Sequence, residues 1–263
     1  METVVDYAGP AACGGPLARL TLNSPRNRNA LSSALVSQLR QGLRDATADP
    51  AVRVVVLGHT GGTFCAGADL SESSAADDAN PQDPAVTRAR EMTALLRTIV
   101  ESPLPVIGAV NGHVRAGGLG LIGACDIVVA GPRSTFALTE ARIGVAPAII
   151  SLTLLPKLSA RAAARYYLTG EKFGANEAAQ IGLVTLAADD VDGAVDALVT
   201  DVGRGSPQGL AASKALTTTA VLDGFDRDAE RLAAESARLF ASDEAREGML
   251  AFLQKRPPSW VSG

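Results

Sequence analysis

The stretch from Ala109 to Ala130, A-V-N-G-H-V-R-A-G-G-L-G-L-I-G-A-C-D-I-V-V-A, constrains this chain more than any other. An apolar strand over Val106–Val110 must end, turn tightly, enter a short glycine-rich helix and return as a second buried strand over Ile127–Ala130. Asn111-Gly112 marks the turn. Gly117-Gly118 stands where the helix starts. The first N–H groups of a helix have no acceptor within it, and the positive end of its dipole points outward. Glycine leaves no side chain in the way, so a ligand oxygen can reach those N–H groups. That is half of an oxyanion hole. Close packing of the glycines against a neighbouring element is the competing reading, and one glycine-rich turn does not separate the two.

A second stretch does. Phe64-Cys65-Ala66-Gly67-Ala68-Asp69-Leu70 follows the apolar run Val52–Leu57 through the loop Gly58–Thr63, and offers a bare backbone able to turn the Ala68 N–H outward. Two such loops, each after a buried strand, can bring two N–H groups to one carbonyl oxygen. Here the sequence resembles the crotonase, or enoyl-CoA hydratase/isomerase, superfamily. The family pattern F-x-A-G-A-D-[LI] stands as Phe64–Leu70, and N-G-x-x-x-G-G-G-x-x-L as Asn111–Leu121, with Ala116 in place of the first glycine. The resemblance runs from about Leu17 to the C-terminus. It implies an α/β fold, a spiral of ββα units over residues 1–200, followed by a C-terminal helical trimerisation region over residues 201–263. It also implies an acyl-CoA thioester as substrate and assembly into homotrimers or homohexamers.

Bulk properties narrow the classes of partner and setting. At 263 residues with 47% apolar content the chain can bury a sizeable core. A net charge of −4 argues against nonspecific nucleic-acid binding. No apolar run approaches the ~18 residues of a membrane span. The start, Met1-Glu2-Thr3-Val4-Val5-Asp6, lacks the basic and apolar regions of a secretory signal. Cys13, Cys65 and Cys125 fit no zinc spacing. Cys65 and Cys125 read as small buried hydrophobes, and a reduced, cytoplasmic setting is expected. No metal or redox cofactor is expected.

Along the chain, Leu17–Leu22 alternates as a strand should and stops at Asn23-Ser24-Pro25. The loop Arg26–Leu31 feeds a helix capped by Ser32 or Ser33, with Leu35, Leu39 and Leu43 on one face to about Ala46. Val52–Leu57 reads as a strand buried on both faces. Ser71–Pro84 is polar, acidic and bounded by prolines, and reads as a mobile loop. The helix after it carries Met92, Leu95, Leu96, Ile99 and Val100 on one side. After Ala130 the expected elements are helices over Ile149–Leu158, Ala160–Leu168 and Ala175–Ile181 and a strand over Gly182–Leu186. From Val191 onward the chain reads as helical, broken at Gly205-Ser206-Pro207, with a stripe at Leu232, Ala233, Ser236, Leu239 and Phe240 and a last helix ending near Lys255.

Hydration of a 2-enoyl thioester requires polarisation of the thioester oxygen, a base for the attacking water and a proton for C2. By resemblance the first task falls to the N–H groups of Ala68 and Gly117. The second wants a carboxylate whose pKa is raised by an apolar pocket. Glu140, in F-A-L-T-E, aligns with a catalytic glutamate of the family. The better-known hydratases carry a second glutamate at the position of Gly120, so a mechanism with two carboxylates on one water is not available as usually drawn. The resemblance therefore implies an enoyl-CoA hydratase using Glu140 alone. A Δ3,Δ2-enoyl-CoA isomerase and a catalytically weak acyl-CoA-binding protein are the alternatives. The stretch Glu140–Ser151 is similar to that of 3-methylglutaconyl-CoA hydratases. For the coenzyme, Arg28 and then Arg26 match the family's phosphate contacts, and Ala66, Asp69 and Leu70 stand in its binding loop. Lys255 matches a basic position that approaches the coenzyme of a neighbouring subunit. Asp126 could be catalytic but suits a cap or turn partner at a strand start, His113 suits a turn or surface position better than a general acid, and Arg115 could pair a substrate carboxylate.

Overall fold

The computed structural model describes residues 2–69, 72 and 82–261. Strands β1 (Val5–Ala8), β2 (Leu17–Leu22), β3 (Val54–His59), β5 (Val106–Val110), β7 (Ile127–Ala130) and β10 (Leu186–Ala187) form one sheet in the order β1-β2-β3-β5-β7-β10. Strands β4 (Thr63–Cys65), β6 (His113–Arg115), β8 (Thr135–Ala137) and β9 (Phe173–Gly174) form a second, in the order β4-β6-β8-β9. Three times in succession the chain gives one strand to the first sheet and the next to the second: β3 then β4, β5 then β6, β7 then β8. Within each sheet these strands pair in parallel. A helix follows the first two pairs, α3 (Gln82–Glu101) and α4 (Gly117–Ala124), and the 3₁₀ turn Glu140–Ile143 follows the third. This is the expected spiral of ββα units.

The continuous apolar runs have a direct cause. Val55, Leu57, Val106, Val110 and Val128 face one buried cluster, shared with Leu95, Leu96 and Ile99 of α3. The alternate residues Val54, Val56, Ile107 and Val129 face a second cluster, closed by Val191, Val195 and Val199 of a later helix, Val191–Gly203. A parallel sheet covered on both faces has no polar side to alternate with.

Boundaries moved in several places. The strand expected at Val52–Leu57 runs Val54–His59, because His59 still pairs with Leu22. The strand expected over Gly182–Leu186 is reduced to β10, two residues beside β7. The helix expected over Ile149–Leu158 is only Ser151–Leu154, and the last helix, Asp243–Leu253, ends before Lys255. α3 begins at Gln82, inside the stretch read as a loop. Apart from Glu72, the rest of that stretch lies outside the described residues before Gln82, as does Leu70 of the expected coenzyme loop. The second sheet was not anticipated, since three-residue strands are too short to show a period. Ser32, not Ser33, caps the helix Ser33–Ala48, accepting from the Leu35 N–H.

Two further helices follow Val191–Gly203. Pro207–Phe240 packs along α3, and Asp243–Leu253 packs on the 3₁₀ turn Glu140–Ile143. The second contact is backbone on backbone. A β-carbon on Gly144 would lie 2.6 Å from the Glu244 carbonyl carbon, and one on Gly248 2.5 Å from that of Ile143. The C-terminal region thus lies directly on the segment that carries Glu140. Of the expected stripe, Ala233 and Ser236 are buried while Leu232, Leu239 and Phe240 are half-buried.

Candidate active site

Ala68 makes an isolated parallel bridge with Leu31. The Leu31 N–H donates to the Gly67 carbonyl at 2.8 Å and the Asp69 N–H to the Leu31 carbonyl at 3.4 Å. Peptide groups alternate in direction along an extended chain, so the Ala68 N–H points to the other side, away from Leu31. Gly117 opens α4, and its N–H is one of the helix's unpaired first donors. The two loops meet: a β-carbon on Gly67 would lie 3.5 Å from the Gly117 nitrogen and 2.8 Å from the Ala116 β-carbon. Gly67 itself has φ +94°, a conformation that favours glycine. The structure therefore brings Ala68 and Gly117 side by side. Leu31 and Met92 close around them, their terminal carbons 2.7 and 3.8 Å from where a Gly117 β-carbon would stand. Neither residue was singled out for the site beforehand.

Ala116, just before Gly117, has φ 45° and ψ −121°. This is strained for any residue with a β-carbon, and costs on the order of 1–3 kcal/mol. This chain holds the turn despite the side chain.

Glu140 starts its 3₁₀ turn behind Thr139, and Gly144 closes that turn with φ 76°. The residue is 7% exposed. Among the described residues its Oε2 has no hydrogen-bond partner. Burial pushes its pKa up to about 7. A carboxyl so placed exchanges a proton readily near neutral pH. An exposed charge at a helix start, the plain alternative, is ruled out by the burial. Tyr167 lies close enough that the charge of Glu140 helps to raise its hydroxyl, which burial chiefly pushes up to about 12. Tyr167 carries no sequence signal, since a tyrosine inside a helix reads as packing.

At Gly120 a β-carbon would lie 2.5 Å from Ile150 Cγ2 and 3.4 Å from Leu96 Cδ1. The position of a second carboxylate is thus filled by an isoleucine.

The coenzyme candidates divide. Arg26 and Arg28 are exposed on a loop in which Arg28 and Asn29 both have positive φ, at 60° and 52°. Asn29, fully buried, holds that loop: it accepts from the Ser24 N–H at 2.7 Å and donates to the carbonyls of Thr60 and Thr63 at 3.1 and 2.8 Å. The Ala66 N–H donates to the Arg28 carbonyl at 3.1 Å, and Asp69 accepts from Asn27 at 3.2 Å, so Arg28, Ala66 and Asp69 belong to one stitched surface. Lys255 is exposed at the far end of the chain, beside Arg256, which is paired with Glu247.

The remaining polar candidates are structural. Asp126 accepts from the Val106 N–H at 2.7 Å and pairs with Lys214 at 2.8 Å. Arg115 donates to the carbonyls of Val114 and Thr135, and His113 meets the Thr135 hydroxyl at 2.9 Å. Cys65 and Cys125 are buried, with thiols pushed up to about 12 by burial. Among the described residues no group of three or more His, Cys, Asp or Glu could hold a metal ion, and no helix is long and apolar enough to cross a membrane.

Comparison with known proteins places the chain in one family. The family described as Enoyl-CoA hydratase/isomerase matches residues 14–263. The chain is 33% identical to the 2,3-dehydroadipyl-CoA hydratase of Escherichia coli, over 92% of this chain and 93% of that protein. It is 31% identical to the 1,2-epoxyphenylacetyl-CoA isomerase of the same organism, over 92% and 94%. The crystal structure of an enoyl-CoA hydratase from Mycobacterium avium superposes with a TM-score of 0.92 at 78% identity, covering 99% of this chain and all of that one (100%). With a ββα spiral matched along nearly its whole length, the chain belongs to the enoyl-CoA hydratase/isomerase family.

Proposed function

We propose that this protein is an enoyl-CoA hydratase that adds water across the 2,3 double bond of an enoyl-CoA thioester. The N–H groups of Ala68 and Gly117 hold the thioester oxygen as it gains negative charge. Preorganised donors of this kind are worth ~3–4 kcal/mol of barrier each. Glu140 takes a proton from water as the oxygen attacks C3, and returns it to C2. The observation that carries this reading is the buried Glu140 carboxyl, whose Oε2 has no partner among the described residues and whose pKa burial raises to about 7. Arg28, Arg26, Ala66 and Asp69 are assigned to the coenzyme, and Lys255 to the coenzyme of a neighbouring subunit. Exposed apolar side chains near the C-terminus, Phe252, Leu253 and Trp260 among them, support assembly into a homotrimer or homohexamer. Incubating the protein with a panel of straight and branched 2-enoyl-CoA thioesters, and following loss of the conjugated absorbance, tests the reaction. No hydration across the panel overturns it.

One observation favours a second reading. Ile150 closes the place of a second carboxylate at Gly120, and a single carboxyl suffices to carry a proton between C2 and C4. A Δ3,Δ2-enoyl-CoA isomerase would leave the mass of a 3-enoyl-CoA unchanged, whereas hydration adds a water. Tight thioester binding without either reaction would point instead to an acyl-CoA-binding protein.

A further inference from the structure

A water attacking C3 from the side of Glu140 has two hydrogens, and one carboxylate takes only one of them. The second hydrogen needs an acceptor to fix the water's orientation. Residue 120 cannot supply it, because Ile150 fills the space beside that glycine.

Next to Ile150 in sequence stands Ser151, whose Oγ–H donates to the Pro147 carbonyl at 2.7 Å. The same oxygen lies 3.1 Å from the Tyr167 hydroxyl. A serine has one hydroxyl hydrogen, and a carbonyl can only accept. With the serine hydrogen committed to Pro147, the tyrosine must donate to Ser151. The Tyr167 oxygen then presents only lone pairs to its surroundings. The turn that begins at Glu140 packs against the helix of Tyr167. The helix Ala160–Thr169 that carries Tyr167 is clamped to the turn of Glu140: Arg142 donates to the Thr169 carbonyl at 3.1 and 2.8 Å, and a β-carbon on Gly170 would lie 3.0 Å from the Leu138 carbonyl oxygen. The charge of Glu140 is felt at the Tyr167 hydroxyl.

We propose that Tyr167, its proton steered away by Ser151, is a positioning residue that accepts the second hydrogen of the water activated by Glu140. This rests on the hydratase reading above. In the step, the water oxygen bonds to C3, one hydrogen passes to Glu140 and the other stays on the new hydroxyl, hydrogen-bonded to Tyr167. The π pair of the double bond moves toward the thioester oxygen held by Ala68 and Gly117, and Glu140 then delivers its proton to C2. A water is added, and nothing is oxidised or reduced. Because Ser151 holds the tyrosine proton, Tyr167 does not donate to the Glu140 carboxylate and does not lower its proton affinity.

The test uses the full chain with Tyr167→Phe, Ser151→Ala and the double variant, assayed for hydration of crotonyl-CoA and of a branched 2-enoyl-CoA. Tyr167→Phe is expected to lower kcat by ~10–100-fold with KM little changed, the usual scale for a misoriented reactant. Ser151→Ala frees the tyrosine proton to turn to Glu140. A donor to the carboxylate favours its charged form, so the rise of kcat/KM with pH should move to lower pH by roughly half a unit or more. In the double variant, which has no hydroxyl left to donate, that rise should return toward the parent's pH. Parental kcat in Tyr167→Phe, or a Ser151→Ala profile that does not move, overturns the proposal while leaving the hydratase reading intact. A parent protein that hydrates neither thioester overturns both.

Discussion

Among the described residues two buried charged side chains, Lys214 and Glu140, are treated in opposite ways. Lys214, in the long helix Pro207–Phe240, is 4% exposed. It donates to the carbonyls of Ile99 and Leu104 at 2.9 and 3.0 Å and pairs with Asp126 at 2.8 Å. Its three N–H donors are all used, and Asp126 also ties down the start of β5. Glu140 is as deeply buried, yet its Oε2 has no partner. Burial lowers the proton affinity of Lys214, which the neighbouring Asp126 partly restores, whereas nothing comparable offsets the rise at Glu140. A satisfied buried charge locks one element to another, here the C-terminal helix to α3 and the sheet. An unsatisfied one keeps its proton available for transfer, at a cost in stability.

This contrast predicts which substitutions harm activity and which harm the fold. Glu140→Gln should lower turnover of a 2-enoyl-CoA by ~10²–10⁴-fold, measured by steady-state kinetics at neutral pH. Parental turnover would remove Glu140 from the chemistry. Lys214→Ala should instead cost about 3 kcal/mol of stability in urea titration, since it leaves the half-buried Asp126 without its cation and the Ile99 and Leu104 carbonyls without their donor. If it is tolerated, the pair is not a lock.

Glu140 and a second buried titratable group, His59, also differ in their response to pH. The folded pKa of Glu140, about 7, lies above its ordinary value of 4.5, so the folded state binds more protons between them. Stability from this group is fully present below pH 4.5 and is lost as pH rises through about 7, by ~3 kcal/mol in all. Glu140→Gln should remove that loss, giving a higher Tm than the parent at pH 8 and a near-equal one at pH 4.5. A parallel offset at both pH values would show that the carboxyl is solvated. His59 contributes with the opposite sign. Its Nε2 accepts from the Asn111 N–H at 3.2 Å, and burial lowers its pKa below 6.5. Stability from this group is present above pH 6.5 and is lost as pH falls toward its lowered pKa. His59→Gln should flatten the acid side of the Tm profile without touching the alkaline side.

The smallest effect concerns the strained residue beside the oxyanion amides. Ala116→Gly relieves a φ of 45° and should stabilise the protein by about 1 kcal/mol, less the added freedom of the unfolded chain. A loss of stability would mean that the Ala116 methyl packs more than it strains.

The sequence determined the spiral's first sheet and most of its helices, and it marked two small-residue loops that the fold brings together and a glutamate that the fold buries. The strands were legible because buried parallel strands make unbroken apolar runs. What the tertiary structure decided is everything that depends on neighbours far along the chain. Thr63–Cys65, His113–Arg115 and Thr135–Ala137 are strands only because each has the others beside it. Asp126 is architectural only because Lys214, remote in sequence, reaches it. Gly120 is closed by Ile150, Gly117 is bordered by Leu31 and Met92, and the helix of Tyr167 is clamped to the turn of Glu140 at Arg142. A residue's type sets which protons and surfaces it has to offer. Burial and partners, which folding alone supplies, set whether those are spent on holding the structure or kept for chemistry.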